Sequence, residues 1–241
     1  MDLVFSGKET KEEILWRKNA FCLKLSASYP SESSGAWTNM LIAGDNEQAL
    51  YALLDIKKKG GIANPDKKSG VRLIYIDPPF STGLRFRTKA NIPAYDDVLK
   101  GVEFVRFIRK RLVILWELLA EDGSIFVHLD WKIAHYAKVV MDEVYGVENF
   151  LNDIIWGYGG RGAKATSSQF SRNHDIILWY QKKAHIFNRQ FAEKRFLKGE
   201  NGSRKDMAGR WFKTAPRGDY TDESIEALKR QGRIHITKNN K

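Results

Sequence analysis

Residues 71–83, VRLIYIDPPFSTG, constrain the fold more than any other stretch of this chain. Leu73, Ile74, Tyr75 and Ile76 form a short, unbroken, β-favouring apolar run, the pattern of a strand buried on both faces of a parallel sheet. Asp77 stops the run, and Pro78 and Pro79 follow. Neither proline has a backbone N–H to give to a ladder, so the strand ends there. That end is a carboxyl end, where open α/β sheets place their ligands.

The residue types at this end suggest a chemistry. Asp77 accepts a hydrogen bond, and the Pro78 carbonyl, held rigid by Pro79, accepts another. Two fixed acceptors suit an exocyclic amino group, which has two donors. Phe80 offers a flat apolar face on which a heterocycle stacks. The set fits an amino-bearing base extruded from its stack. An isolated Asp-Pro-Pro sequence is also an ordinary turn. The apolar strand before it and Ser81-Thr82-Gly83 after it favour the ligand-binding alternative.

Charge is unevenly spread along the 241 residues. Residues 1–155 carry 21 Lys and Arg against 21 Asp and Glu, whereas residues 156–241 carry 19 against 8. The whole formal charge of +11 therefore lies in the last 86 residues, interleaved with Phe187, Phe191, Phe196, Trp211, Phe212 and Tyr220. This points to a polyanion, and nucleic acid in particular, as partner. A solvated basic surface is the blander alternative. No apolar run approaches the ~20 residues that span a bilayer, and no secretory signal opens the chain. Cys22 is the only cysteine, which excludes an intrachain disulfide and fits a reducing, cytoplasmic setting. No His, Cys or carboxylate spacing suggests a metal, and no Gly-x-x-x-x-Gly-Lys-Ser/Thr loop suggests an ATPase.

In chain order, residues 8–18 suit a short helix and residues 26–35 a loop. Residues 39–44 read as a strand ending at Asp45, and residues 47–56 as a helix. Asp45 or Asn46 also suits a simple helix cap. Residues 84–97 show no period; Arg85 and Arg87 there fit a loop touching phosphate, or a plain solvated one. A helix over 98–120 carries Val102, Val105, Ile108, Leu112, Leu115 and Leu119 on one face, with Arg106, Arg109, Lys110 and Arg111 on its wet side. A buried strand over 124–129 and a helix over 131–145 follow. His128 reads as a structural residue. Strands are expected at 150–156 and 175–180. The Gly-rich segment 157–162 between them suits an approach to nucleic acid through Arg161, with Lys164 and Arg172 nearby. A helix is expected over 221–231, and a strand starting at 232–236.

Five segments in order, NMLIAGDN (39–46), LIYIDPPFSTG (73–83), GSIFVHLDW (123–131), ENFLNDIIW (148–156) and HDIILWY (174–180), resemble the β class of adenine-N6 DNA methyltransferases. Within that class they are most similar to the modification subunits of type III restriction systems, over roughly residues 37–190. The resemblance implies an α/β, Rossmann-like methyltransferase sheet in circularly permuted order. It implies an N-terminal extension (1–36), a catalytic core (37–186) and the start of a basic target-recognition region (187–241), with the strands at 150–156 and 175–180 as an antiparallel pair at the sheet's edge. Asp77, Pro78, Pro79 and Phe80 would be catalytic. Asp45, Asn46 and Asp77 would hold S-adenosylmethionine, and Arg85, Arg87, Arg161, Lys164 and Arg172 would contact double-stranded DNA. Asp rather than Ser at 77 favours adenine N6 over cytosine N4. A DNA-binding or specificity fragment without catalysis, and an amino group of RNA or of a glutamine amide, are the other readings.

The family's Phe-x-Gly-x-Gly-type cofactor loop does not occur in this sequence. The expectation is a sheet lacking its middle, in a truncated or split enzyme inactive by itself. A missing C-terminal half, a second methyltransferase subunit or a restriction subunit would be its partner.

Overall fold

The computed structural model describes residues 2–17, 21–28, 39–80, 84–87, 93–97, 101–159, 173–190, 203–205, 207, 209, 211–213 and 220–234. It divides into two units, residues 1–187 and 188–241. The larger is built on a four-stranded mixed sheet of order β1–β4–β6–β5. Strand β1 (Val71–Ile76) runs parallel to β4 (Leu119–Asp130), and β6 (His174–Gln181) runs antiparallel to β4 and to β5 (Phe150–Gly157). A separate hairpin, β2 (Leu84–Arg87) with β3 (Pro93–Asp97), follows the Asp-Pro-Pro turn where no period was legible.

Helices cover one face of this sheet. On that face Ile74, Ile125, Val127, Leu129, Ile176, Leu178 and Tyr180 join α3 (Val102–Leu118) and α4 (Ala134–Tyr145) in the core. Helix α3 places Ile108, Leu112 and Leu115 inward at helical spacing. Tyr180, fully buried, donates from its hydroxyl to Asp142 of α4 at 2.7 Å, fixing that helix across the sheet. Burial, with the nearby Asp142, drives the Tyr180 hydroxyl pKa far up, so it stays a donor. The β1–α3–β4 crossover is tight: Gly70, at φ +105°, lies where a Cβ would sit 2.7 Å from the Ala120 amide nitrogen.

The other face is bare in part. Leu73 and Tyr75 on it are 62% and 54% exposed. The expectation of a strand buried on both faces is therefore wrong for β1, because no described helix covers that side and β1 is the outermost strand of the sheet.

Three further expectations fail for identifiable reasons. Residues 39–44 form no strand, and Leu41 is fully exposed; an extended segment without a hydrogen-bonded neighbour has no ladder to join. The basic side of α3 is not simply wet. Arg109 is buried against Glu143 of α4, and Lys110 and Arg111 pair with Glu47 of α2 (Asn46–Lys58). The helix expected to reach 120 stops at Leu118 and β4 begins at Leu119, with Asp122-Gly123 inside the strand where the β1–β4 register shifts. The N-terminal helix, α1 (Lys11–Leu15), is shorter than expected and closed by a Thr10–Glu13 capping box. No described helix is long and apolar enough to cross a membrane.

In the second unit the description comprises a short hairpin, β7 (Ser203–Lys205) with β8 (Trp211–Lys213), and α5 (Asp222–Arg230), which Thr221 caps through the Ser224 amide. Residues 232–234 are not a strand, and the rest of that expected strand lies outside the described residues.

Candidate active site

Strand β1 delivers Asp77 to the carboxyl end of the sheet, and the two prolines end the ladder there. The Asp77 side chain is exposed, with no partner among the described residues, so its acceptors are available. Pro78, Pro79 and Phe80 are half-buried, and Phe80 packs against the core, which limits its ring to few positions.

Beside this turn the strands assemble a polar chain. The Tyr75 hydroxyl lies 2.8 Å from Nδ1 of His128 on β4, and His128 Nε2 lies 3.2 Å from Oδ2 of Asp175 on β6. A carboxylate only accepts, so Nε2 carries a proton and donates it to Asp175, while Nδ1 shares the other hydrogen bond with the Tyr75 hydroxyl. Tyr158, just past β5, lies near enough to Asp175 to feel its charge. Burial, then the negative charges of Asp77 and Asp175, raise the Tyr75 pKa; burial, then Asp175 and Asp130, do the same to Tyr158. Both tyrosines are therefore held as phenols. The Phe80 ring centroid stands 6.0 Å from that of His128, tilted by 53°. The chain Tyr75–His128–Asp175 thus spans three strands and braces the aromatic ring of the turn.

From the sequence His128 reads as a structural residue, and nothing there singles out Tyr75, Tyr158 or Asp175 for the site. The signal was in the strand register. Antiparallel pairing sets the start of β6 beside the end of β4, with Asp175 opposite Asp130 and Ile177 opposite His128. A His-x-Asp at one strand end and a His-Asp at the next strand's start therefore converge.

The other expected site residues are placed differently. Asp45 does not stand at a strand end. Its carboxylate caps α2, accepting from the Gln48 amide at 3.1 Å. The Asn46 side-chain oxygen accepts from Arg111 Nε at 2.8 Å. Arg85 and Arg87 lie on β2, their backbone opposite Asp96 and Pro93. Arg161, Lys164 and Arg172 lie outside the described residues.

An acid and two prolines at the end of a parallel strand, with a braced aromatic ring behind them, are the arrangement to set against known proteins. The DNA methylase family model, that of N6/N4 methyltransferases, matches residues 71–237. The chain belongs to this DNA methylase family. Among relatives, the type II methyltransferase M.EcaI of Enterobacter cloacae is 30% identical, over 98% of this chain and 55% of its own length. The probable type III restriction-modification enzyme HindVI Mod subunit of Haemophilus influenzae is 36% identical over 47% of this chain and 13% of its own. The type III EcoP15I Mod subunit of Escherichia coli is 28% identical over 60% and 24%. The chain thus spans about half of M.EcaI and a quarter or less of these Mod subunits. The DNA methylase match begins at β1 itself and takes in the turn, the polar chain and both antiparallel strands.

Proposed function

We propose that this DNA methylase chain carries the base-gripping site of a DNA adenine-N6 methyltransferase of a restriction-modification system. The observation that carries this is the available carboxylate of Asp77 at the end of β1, followed by two prolines and the half-buried Phe80. Asp77 and the Pro78 carbonyl accept from the two N–H donors of the adenine amino group. Accepting from both pulls the nitrogen lone pair out of conjugation with the ring, where it is nucleophilic. Phe80, braced by His128, stacks on the base. Positioning of this kind supplies most of the acceleration of such a transfer. Double-stranded DNA is the substrate, and the basic stretch 156–241 supplies its sequence-independent hold.

S-Adenosylmethionine is the methyl donor in this proposal. The described residues do not by themselves fit it. Asp45 is engaged in capping α2, Asn46 is bonded to Arg111, and the segment before them is exposed rather than a strand. Asp77 alone among the three expected cofactor contacts has an uncommitted side chain. A cofactor pocket needs a further wall.

The base grip is testable without the cofactor. An adenine opposite an abasic site is unpaired and costs little to extrude. The chain should bind such a duplex more tightly than the matched one, by a difference on the order of the 1–3 kcal/mol that stacking on an aromatic ring is worth. Asp77→Ala and Phe80→Ala should each erase most of that preference and leave affinity for the matched duplex unchanged. Equal binding of the two duplexes by the unaltered chain overturns the grip.

A further inference from the structure

At the carboxyl end of β1, three aromatic side chains stand open on the sheet face that bears His128. Tyr75 on β1, Trp156 near the end of β5 and Tyr158 just past it are 54%, 58% and 55% exposed. The register puts them on that one face. Trp156 lies directly opposite Asp175, whose carboxylate meets His128, and His128 meets Tyr75. Residues directly opposite in an antiparallel pair project to the same side. Tyr158 stands near the same Asp175 and near Asp130. With Phe80, whose ring lies 6.0 Å from that of His128, these side chains form a shelf. It starts at the base grip and crosses the sheet in the order β1–β4–β6–β5. Three inter-strand spacings make that roughly 14 Å. A single exposed ring needs no explanation, but a row of them beside a site does.

We infer that the shelf takes unpaired bases flanking the gripped adenine, so that the DNA strand held here is unstacked over more than one nucleotide. The place of the adenine rests on the base-grip reading; the stacking surface does not. Three features select the occupant. The exposed side chains are rings rather than aliphatic chains, and every base has a face that stacks on a ring. Between the rings, the Asp175 carboxylate is an acceptor for exocyclic amino groups. The span sets the state of the strand. In a paired duplex the next base lies only 3.4 Å on along its strand and inside the helix, so it reaches Trp156 only when unpaired. Charge agrees with this occupant. The excess of Lys and Arg begins in the sequence at the end of β5, and Arg161 and Lys164 follow Tyr158 closely in the chain. Bases laid on the rings therefore have cations for their phosphates nearby in the sequence.

The test uses the whole chain and three synthetic duplexes, with binding read by fluorescence anisotropy. In the first, one adenine lies opposite an abasic site. In the second, its neighbours on both sides also face abasic sites. The third is the second with those neighbours themselves made abasic, equally pliant but with no flanking base to stack. The second should bind about tenfold or more tighter than the third, 1.4 kcal/mol, within what one base stacked on one ring is worth. Trp156→Leu and Tyr158→Leu keep apolar bulk but remove the ring, and each should take away most of that gain. Trp156→Phe should keep it. Equal binding of the second and third duplexes by the unaltered chain overturns the inference. So does a gain that survives both leucine substitutions, a gain lost equally with Trp156→Phe, or a leucine variant that weakens all three duplexes alike. Should a leucine variant melt below the parent, the unaltered chain on the second and third duplexes decides alone. Asp77→Ala separates the two readings. Loss of the single-adenine preference with the flanking gain kept upholds both; a ring-dependent gain beside an undiminished single-adenine preference upholds the shelf and overturns the grip.

Discussion

Arg109 is a buried charge in the helical layer beneath the site. Its side chain is 4% exposed and that of its partner Glu143 7%. The guanidinium donates to both Glu143 oxygens, at 2.9 and 3.1 Å, and to the Glu9 carbonyl at 2.6 Å. The pair ties α3 to α4 and to the segment before α1. Replacing Arg109 by Met leaves the Glu143 carboxylate buried with Lys8, at 2.8 Å, as its remaining ion-pair partner. Removing one member of a buried pair costs about 3–5 kcal/mol, most of it from the stranded charge. The retained Lys8 contact puts this case at the lower end, about 3 kcal/mol. For a unit of this size that lowers the melting temperature by roughly 10 °C, measured by circular dichroism at pH 7. Arg109→Met with Glu143→Met removes both charges and should recover most of the loss. A single variant within about 1 kcal/mol of the parent, or a double variant no better than the single, refutes the reasoning.

Further outcomes follow from the same contacts. Burial pushes the Glu143 pKa up, but the hydrogen bonds from Arg109 and Lys8 outweigh it and hold the group below 4.5. The stability this adds is present above that value and is lost as pH falls through the folded pKa, so acid unfolding should begin below about pH 4.5 and be blunted in the double variant. His128→Phe removes the hydrogen bonds to Tyr75 and Asp175, each worth about 0.5–1.5 kcal/mol; it should weaken the preference for the unpaired adenine more than it lowers the melting temperature, and an unchanged preference removes His128 from the site. Gly70→Ala places a Cβ against the Ala120 backbone at a φ of +105° and should destabilise by more than 1 kcal/mol, read from urea titration. Affinity for duplex DNA should fall steeply with salt, because Lys and Arg displace phosphate counterions; affinity indifferent to salt would contradict the role given to 156–241.

How much of this was legible depended on whether a residue's setting is local. The Asp77 turn was readable because prolines end a strand whatever surrounds it, and α3, α4, β5 and β6 because their apolar periods are strong. The antiparallel β5–β6 pair at the sheet's edge came from the family resemblance, as did the Rossmann-like class. Residues 39–44 misled because an apolar, β-favouring run says nothing about whether a neighbouring strand is there to receive it. Leu73 and Tyr75 misled in the same way, since their composition cannot say that one face lacks cover. Arg109 looked solvated from its charged neighbours, yet Glu143 meets it from a helix 34 residues away. The Tyr75–His128–Asp175 chain needed the register of three strands, which no single segment contains.

In the proposed function Asp77 presents an adenine amino group for methylation. The most direct measurement is nucleoside analysis, by mass spectrometry, of genomic DNA from a host without adenine methylation that expresses M.EcaI with its matched portion replaced by this chain. N6-methyladenine is expected with the unaltered chain and its loss with Asp77→Ala. N4-methylcytosine in its place, or N6-methyladenine that survives Asp77→Ala to within about tenfold, roughly 1.4 kcal/mol of barrier, contradicts it.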